Sequence, residues 1–422
     1  MDHVLNTLEA CQREVKITLT ADELKPHYKE AYTRAQADIS LPGFRKGKVP
    51  VNVIKQRFGT SIENEALEAI ADSEFRAYAT SNTLPVVGNP ALTNIEKTAD
   101  DGVTFTVVFE VLPEFELGEY RNLEITRPVR PVTEEDVQEE IDRICLRAAT
   151  FEPAEETTDS MHVVTITMHE LDKESGVPII GEEPREERIF LDDDQTDMHL
   201  RNSLSEKKVG DSIQYTAETE DENEQPPSFQ VTITDIQKVV PAELTNEFAE
   251  TITGGKFATT EELREDIEKQ LNDYFERSSR AAVENQIVDQ LVKSHEMEVP
   301  GSLVHAVIHQ LFDDFKQRNE GAPGIDQLTA HDLEDEFKPS ADRIVRWELI
   351  RNKIIEAEKI EVEDADVVAA SERYGLPEDQ LRMLMRQNRQ IEDQLIGEKV
   401  MNVLVDYAVI TDVNADTQEP VV

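Results

Sequence analysis

Cysteine is almost missing from this sequence: only Cys11 and Cys145 occur, far apart and in no CxxC pair. That argues against a disulfide framework or a thiolate zinc site, and makes a reducing cytoplasm the expected compartment. Long apolar runs are missing as well. No stretch approaches the roughly 18 residues needed to span a bilayer. The opening MDHVLNTLEACQ lacks the basic segment and apolar stretch of a secretory signal. Basic residues are scarce, with 43 Lys and Arg against 89 Asp and Glu, a net charge of −46. Such a chain repels itself and, as a whole, repels phosphate backbones. What remains is 38% apolar and 31% charged over 422 residues. This is the profile of a charge-rich, largely helical protein of two to four domains.

The charge is uneven. Residues 1–112 hold 12 basic and 16 acidic residues, a net of −4, and the remainder holds 31 and 73, a net of −42. Between Asp38 and Glu63 there is no acidic residue, yet Arg45, Lys46, Lys48, Lys55 and Arg57 all fall there. On charge alone this island is either a docking site for an anionic partner or an ordinary basic loop. The acidity elsewhere, with only 19 Lys, suits a salt-rich cytoplasm, where a Debye length of about 3 Å at 1 M quenches self-repulsion. A merely acidic protein is the alternative.

Four regions follow from the patterning: 1–113, 114–155, 156–240 and 241–422. The first reads as α+β. Alternation in Glu14–Leu19 places Val15, Ile17 and Leu19 on one face of a strand. A helix capped by Thr20 or Asp22 runs to about Ile39. Pro26 favours Asp22, which would put the ring where no intrahelical bond is lost. Pro50 opens a short helix ending at Phe58-Gly59, a longer helix covers Ile62–Ala79, and Val103–Val111 is a strand. In the connector, Thr133 starts a helix with Val137, Ile141, Ile144 and Cys145 on one face. The third region is strand-rich, with strands at His162–Met168, Arg188–Leu191, Ser212–Thr216 and Phe229–Ile236. Its turns include Glu174-Ser-Gly176 and the acidic stretch Glu218–Glu224. From Ala242 onward amphipathic helices are expected at 261–294, 301–318, 339–359, 363–374 and 377–406, separated by Pro300, the turn Gly321-Ala-Pro-Gly324 and Gly375. Extended arms suit them better than one bundle.

The segment Leu41-Pro-Gly-Phe-Arg-Lys-Gly-Lys-Val-Pro50 reads as a tight exposed loop, because Pro42 stops a helix and Gly43 and Gly47 permit positive φ. Phe44 beside Arg45 and Lys46 can wedge into a protein groove while the cations meet phosphate or carboxylate. This stretch resembles the Gly-Phe-Arg-x-Gly-x-x-Pro signature of trigger factors at Gly43, Phe44, Arg45, Gly47 and Pro50, and Phe44-Arg45-Lys46 matches its core. Val51–Gly59 is also similar to the family. So are Pro241–Phe248 through Glu298–Leu303, then Ile354–Val362 and Glu398–Leu404. The resemblance implies a multidomain α+β protein: an α+β ribosome-binding domain, a helical linker, a small FKBP-like β-rich domain and an elongated all-helical C-terminal chaperone domain with arms. It implies docking of Gly43, Phe44, Arg45, Lys46, Gly47, Lys48 and Pro50 beside the nascent-chain tunnel exit, against a large-subunit protein and rRNA. It further implies an ATP-independent cytoplasmic chaperone of nascent and unfolded polypeptides, with no cofactor and no membrane partner. The family is linked to export and cell division, and a homodimer off the ribosome is a state the resemblance allows.

In that family the middle domain is a peptidyl-prolyl isomerase, whose chemistry needs a dry aromatic pocket for the twisted amide rather than a nucleophile. This sequence departs from the pattern. Its first strand offers Met168 where the family has Phe, and its turn Gly176-Val-Pro-Ile-Ile-Gly181 has Ile for Phe. The stretch Asp192–Leu200 replaces Ile-Pro-Gly-Phe-Glu, and the late loop Glu218–Pro227 has no Tyr. Weak or lost isomerase activity is expected. The alternative is an active isomerase whose arms deliver substrate, and a periplasmic chaperone with similar arms is a third reading.

Other constellations read as structural. His305 and His309 have the spacing of a zinc helix but no H-E-x-x-H glutamate, and are expected to be two histidines on a helix face. Asp192, Asp193, Asp194 and Asp197 lack the glycine and terminal glutamate of a calcium loop and read as a solvated acidic loop. The stripe Leu303, Val304, Val307, Ile308, Leu311, Phe312 and Phe315 is expected to be mostly core, with Val307, Leu311 and Phe315 offered to clients. Adaptable Leu381, Met383, Leu384 and Met385 are further client-binding candidates.

Overall fold

The computed structural model describes residues 2–42, 44–172, 176–179, 184–193, 196–217, 226–322, 324–415 and 417. The chain divides into two compact units, one of Met1–Arg127 with Ala281–Thr411 and one of Pro128–Arg280 with Asp412–Val422.

The first unit begins with β1 (Asp2–Thr7), β2 (Gln12–Leu19), α1 (Ala21–Asp38), α2 (Val51–Ser81), β3 (Val86–Lys97) and β4 (Val103–Val111). The strands form an antiparallel sheet in the order β1-β2-β4-β3. Val15, Ile17 and Leu19 are fully buried, as their alternation requires, against Phe75, Ile70 and Leu67 of α2. β4 matches its expected bounds. β1 and β3 were not expected: β1 is exposed along its whole length, and β3 reads VVGNPALTNIEK with two breaks in register. Neither carries a clean period of two.

Three expectations here need correction. The cap of α1 is Thr20, not Asp22, in a capping box with Glu23. Pro26 therefore sits at the sixth helical residue and one intrahelical bond is lost. The two helices expected after Pro50 are one, α2, running straight through Gly59. Gly59 is buried, and a Cβ there would stand 3.2 Å from the Tyr32 hydroxyl. It is a point of close approach between helices rather than a stop. Pro50 lies at the cap of α2 rather than inside its first turn.

Beyond β4 come β5 (Glu124–Val129), α3 (Glu134–Arg147), β6 (Thr150–Pro153), β7 (His162–Glu170), β8 (Arg185–Phe190), α4 (Met198–Leu204), β9 (Ser212–Thr216) and β10 (Ser228–Val240). The helical end comprises α5 (Asn246–Ile252), α6 (Thr260–Ser294), α7 (Gly301–Arg318), α8 (Glu334–Glu358), α9 (Asp364–Tyr374), α10 (Glu378–Gln387) and α11 (Arg389–Tyr407), followed by β11 (Val409–Asn414). β11 pairs with β5.

In the first unit, Val283, Ile287 and Leu291 of α6 pack with Ile350 and Ile354 of α8 and Val400 and Leu404 of α11. Glu358 accepts hydrogen bonds from Tyr120 (2.7 Å), Arg121 (2.6 Å) and Tyr407 (3.2 Å). The Tyr120 hydroxyl, then Arg121, hold its carboxyl below the usual range. Buried His295 takes an N–H from Gly118 at Nε2 (2.7 Å) and donates from Nδ1 to the Leu291 carbonyl (2.7 Å), which fixes its tautomer. Two further boundaries differ from expectation. α8 starts at Glu334 and carries Pro339 inside. The single helix expected over 377–406 is broken at Asn388, whose extended backbone and side-chain bond to the Gln390 N–H (2.9 Å) cap α11.

In the second unit, Thr133 and Asp136 form a capping box that starts α3. Val137, Ile141 and Cys145 are buried against Ala249, Leu263 and Ile267, and Ile144 is half-buried beside them. Burial pushes the Cys145 thiol up, an inert state. A five-stranded sheet has the order β6-β10-β7-β8 with β9 also on β10. Val164, Ile166 and Met168 of β7 and Val231, Ile233 and Ile236 of β10 pack on Leu200 and Leu204 of α4. Glu174, Ser175, Ile180, Gly181, Asp194, the stretch 218–224 and Pro323 lie outside the described residues.

Candidate functional site

The loop between α1 and α2 is held from below. Val49 is fully buried with Tyr32, Ile54 and Ile62, and Leu41 packs on the same cluster. Gln36 of α1 donates to the Val49 carbonyl at 2.6 Å. The Phe44 N–H bonds the Leu41 carbonyl (3.0 Å), and the Lys48 N–H bonds Arg45 (2.9 Å). Gly47 stands at φ +78°, where a side chain would be strained. Tyr32 donates to Glu63 at 2.6 Å, and burial together with that carboxylate raises its phenol. A short, internally bonded backbone is thus fastened to two helices.

From it Phe44 projects, 42% exposed. Arg45, Lys46, Lys48 and Pro50 are exposed, Gly47 is half-buried, and Gly43 lies outside the described residues. Lys55 reaches Glu63 only at 4.0 Å. Among the described residues no carboxylate pairs with Arg45, Lys46 or Lys48. Sequence reasoning passed over Val51 and Phe58, exposed apolar residues on α2. The signal was present: Val51, Lys55 and Phe58 follow at i, i+4 and i+7, one helical face.

Agreement with the family resemblance extends well beyond this loop. A family model described as the bacterial trigger factor protein matches residues 1–144, and one described as the C-terminus of the same protein matches residues 259–406. The chain belongs to the trigger factor family. The trigger factor of Salinibacter ruber is 26% identical, covering 96% of this chain and 93% of its own. That of Chlorobaculum tepidum is 28% identical, covering 97% of both. A solved structure, from work on promiscuous substrate recognition in folding and assembly by the trigger factor chaperone, covers 96% of this chain and 99% of its own, at 18% identity and a TM-score of 0.50. At that identity it supports the trigger factor fold alone.

The positions that the resemblance sets against pocket aromatics are occupied by other residues. Met168 is buried in the sheet core, and Ile179 is 37% exposed. Asp197 caps α4, accepting from the Leu200 N–H at 2.7 Å. A groove of about 600 Å3 beside α4 and β9 is lined by His199, Ser203, Gln214, Tyr215, Thr216, Ala217 and Pro226. Tyr215 is its only Phe, Tyr or Trp among the described residues, and it stacks on Phe229 at 6.4 Å.

Of the client-binding candidates, Leu381 is a correction. It is 1% exposed, packed with Val367, Ala370 and Leu395, and so serves as core. Met383 is 60% exposed, while Leu384 and Met385 are half-buried. Val304 and Ile308 are buried in the seam with α8, where Val307 and Leu311 are half-buried, and Phe312 is buried as well. Phe315 is half-buried against Phe337. His305 and His309 are exposed on α7, their Nε2 atoms 3.1 Å apart. Among the described residues no helix is long and apolar enough to cross a membrane.

Proposed function

We propose that this chain is an ATP-independent chaperone that docks through Phe44, Arg45, Lys46 and Lys48 at the ribosomal tunnel exit and shields emerging polypeptides. The observation that carries this reading is the pairing of an exposed Phe44 with cations that have no carboxylate partner among the described residues, on an anchored loop. A protein with a net charge of −46 that leaves cations uncompensated on a fixed backbone has built a contact for an anionic surface. Phe44 adds an apolar term in the middle of that contact. Clients would meet dispersed apolar positions on the helices, Met383 with Leu384 and Met385 and the outer edge of the α7 stripe. The sheet of the second unit acts as a scaffold with weak or no prolyl isomerase activity.

Replacing Phe44, Arg45 and Lys46 together by Ala should abolish co-sedimentation with ribosomes while leaving the thermal unfolding curve unchanged. Undiminished co-sedimentation would overturn the docking assignment. For the second unit, a protease-coupled proline assay should give a rate close to the uncatalysed one. Robust catalysis there would favour the isomerase reading.

A further inference from the structure

We propose that His305 and His309 form a chelate for a borderline transition-metal ion on α7. The two residues are one helical turn apart, and their exposed rings converge with Nε2 atoms at 3.1 Å. The rings meet edge to face, 81° apart. At 3.1 Å one ring must donate a proton to the other, because two facing lone pairs repel. A metal ion can take the place of that proton.

The distance fits this exchange. Two metal–nitrogen bonds of about 2.0–2.1 Å at angles between 90° and the tetrahedral value put the nitrogens roughly 2.9–3.4 Å apart. The observed separation falls inside that interval with no movement of the backbone. Both side chains spring from one continuous helix whose adjacent face, Val304 and Ile308, is packed into the seam with α8. The chelate is therefore organised before the ion arrives.

His305 lines a cleft of about 400 Å3 together with Glu298, Glu334, Asp342, Lys338 and Arg346. Imidazole ligands select zinc, copper or nickel over magnesium and calcium, which require oxygen donors. Among the described residues no third His, Cys, Asp or Glu completes a cluster. The ion is consequently held by two protein nitrogens, with water in its remaining positions, and binds reversibly. His331 is separate, its Nδ1 engaged with Glu334 at 2.9 Å.

Calorimetric titration of the full chain with Ni2+, in excess Mg2+ to occupy carboxylates, tests the site. The expected result is one tight equivalent, weakened at least about 10-fold by His305→Ala and equally by His309→Ala, and unchanged by His331→Ala. Ni2+ should also raise the melting temperature of the wild type but not of His309→Ala. Acidification should weaken binding, because the ion displaces protons. No Ni2+ equivalent that resists Mg2+, or equal affinity in wild type and both single variants, would overturn the proposal.

Discussion

In the loop before α2, Arg45, Lys46 and Lys48 face solvent with no carboxylate partner among the described residues, and Phe44 stands 42% exposed. In the sheet of β7 and β10 the inward positions are Val164, Ile166, Met168, Val231, Ile233 and Ile236, all buried. The first region leaves its apolar and charged groups exposed, to no benefit for the fold, and the second uses each inward side chain to fill space. Residues that the fold does not need, held on a backbone that it fixes firmly, are the mark of a contact surface. Residues that only fill a core carry the architecture of a domain, and architecture by itself assigns no chemistry.

The largest effect should come from reversing charge in the loop. Arg45→Glu with Lys46→Glu would replace two attractive contacts by repulsion. Since hydrogen bonds to charged groups contribute roughly 1.5–3 kcal/mol each, ribosome affinity should fall more than about 100-fold in a sedimentation titration. The same reversal at Arg185 and Arg188 of β8 should leave affinity unchanged. Equal losses at both places would mean that net charge, not the loop, governs docking.

Ile166→Ala reverses the comparison. The residue is fully buried in the sheet, and truncating such a side chain costs about 2–5 kcal/mol. Denaturant unfolding should record that cost for the second unit while ribosome binding stays at the wild-type level. Val49→Ala removes fewer atoms, so its unfolding penalty should be smaller, yet docking should weaken because Val49 anchors the loop. If Ile166→Ala impairs docking more than Val49→Ala does, the two regions are not separable.

How far the sequence disclosed this arrangement depended on whether a residue's neighbours lay nearby in the chain. Strand β4, helix α7 and the buried face of α3 follow from periodicity, and Thr133 with Asp136 announces its capping box. Gly59 was misread because its role is set by Tyr32, 27 positions earlier, and a glycine near a helix end looks the same whether it stops or continues. Pro26 misled for a related reason: a capping box one turn earlier tolerates one lost bond that a local rule forbids. β1 has no buried face for a pattern to report. At the candidate site the loop residues were readable, but Gln36 and Val49 beneath them were not. Leu381 looked like an adaptable surface residue because hydrophobicity does not say which side of a helix is covered.

Acid should act on the fold through Glu358. Its folded-state pKa lies below the ordinary value, so it contributes stability above the unfolded carboxylate pKa of about 4.3 and loses it as pH falls through the depressed one. Glu358→Gln should destabilise the first unit by roughly 1.5–3 kcal/mol at neutral pH. The variant's melting temperature should then fall less than that of the wild type between pH 5 and 3. Parallel curves would show that the Tyr120 and Arg121 contacts contribute little.

The smallest and most diagnostic effect concerns salt. Residues 113–422 carry a net charge of −42, and their repulsion from a ribosome acts over long distances. Arg45 and Lys46 attract only at contact. At about 1 M salt the Debye length is near 3 Å, so the distant repulsion vanishes before the contact pairs do. Contacts to phosphate also weaken through counterion release, with a slope close to the number of phosphates neutralised. With Arg45, Lys46 and Lys48 as the cations on the loop, that slope is small. Phe44 adds a term that salt does not weaken, smaller than the roughly 1.5–3 kcal/mol of complete burial because its side chain is only 42% exposed to begin with. Wild-type affinity for salt-stable ribosomes should therefore decline only mildly, or rise, as salt increases. Phe44→Ala should lose proportionally more at high salt than Lys46→Ala. A steep decline for the wild type, with Lys46→Ala the weaker binder at high salt, would place the contact in phosphate pairing alone.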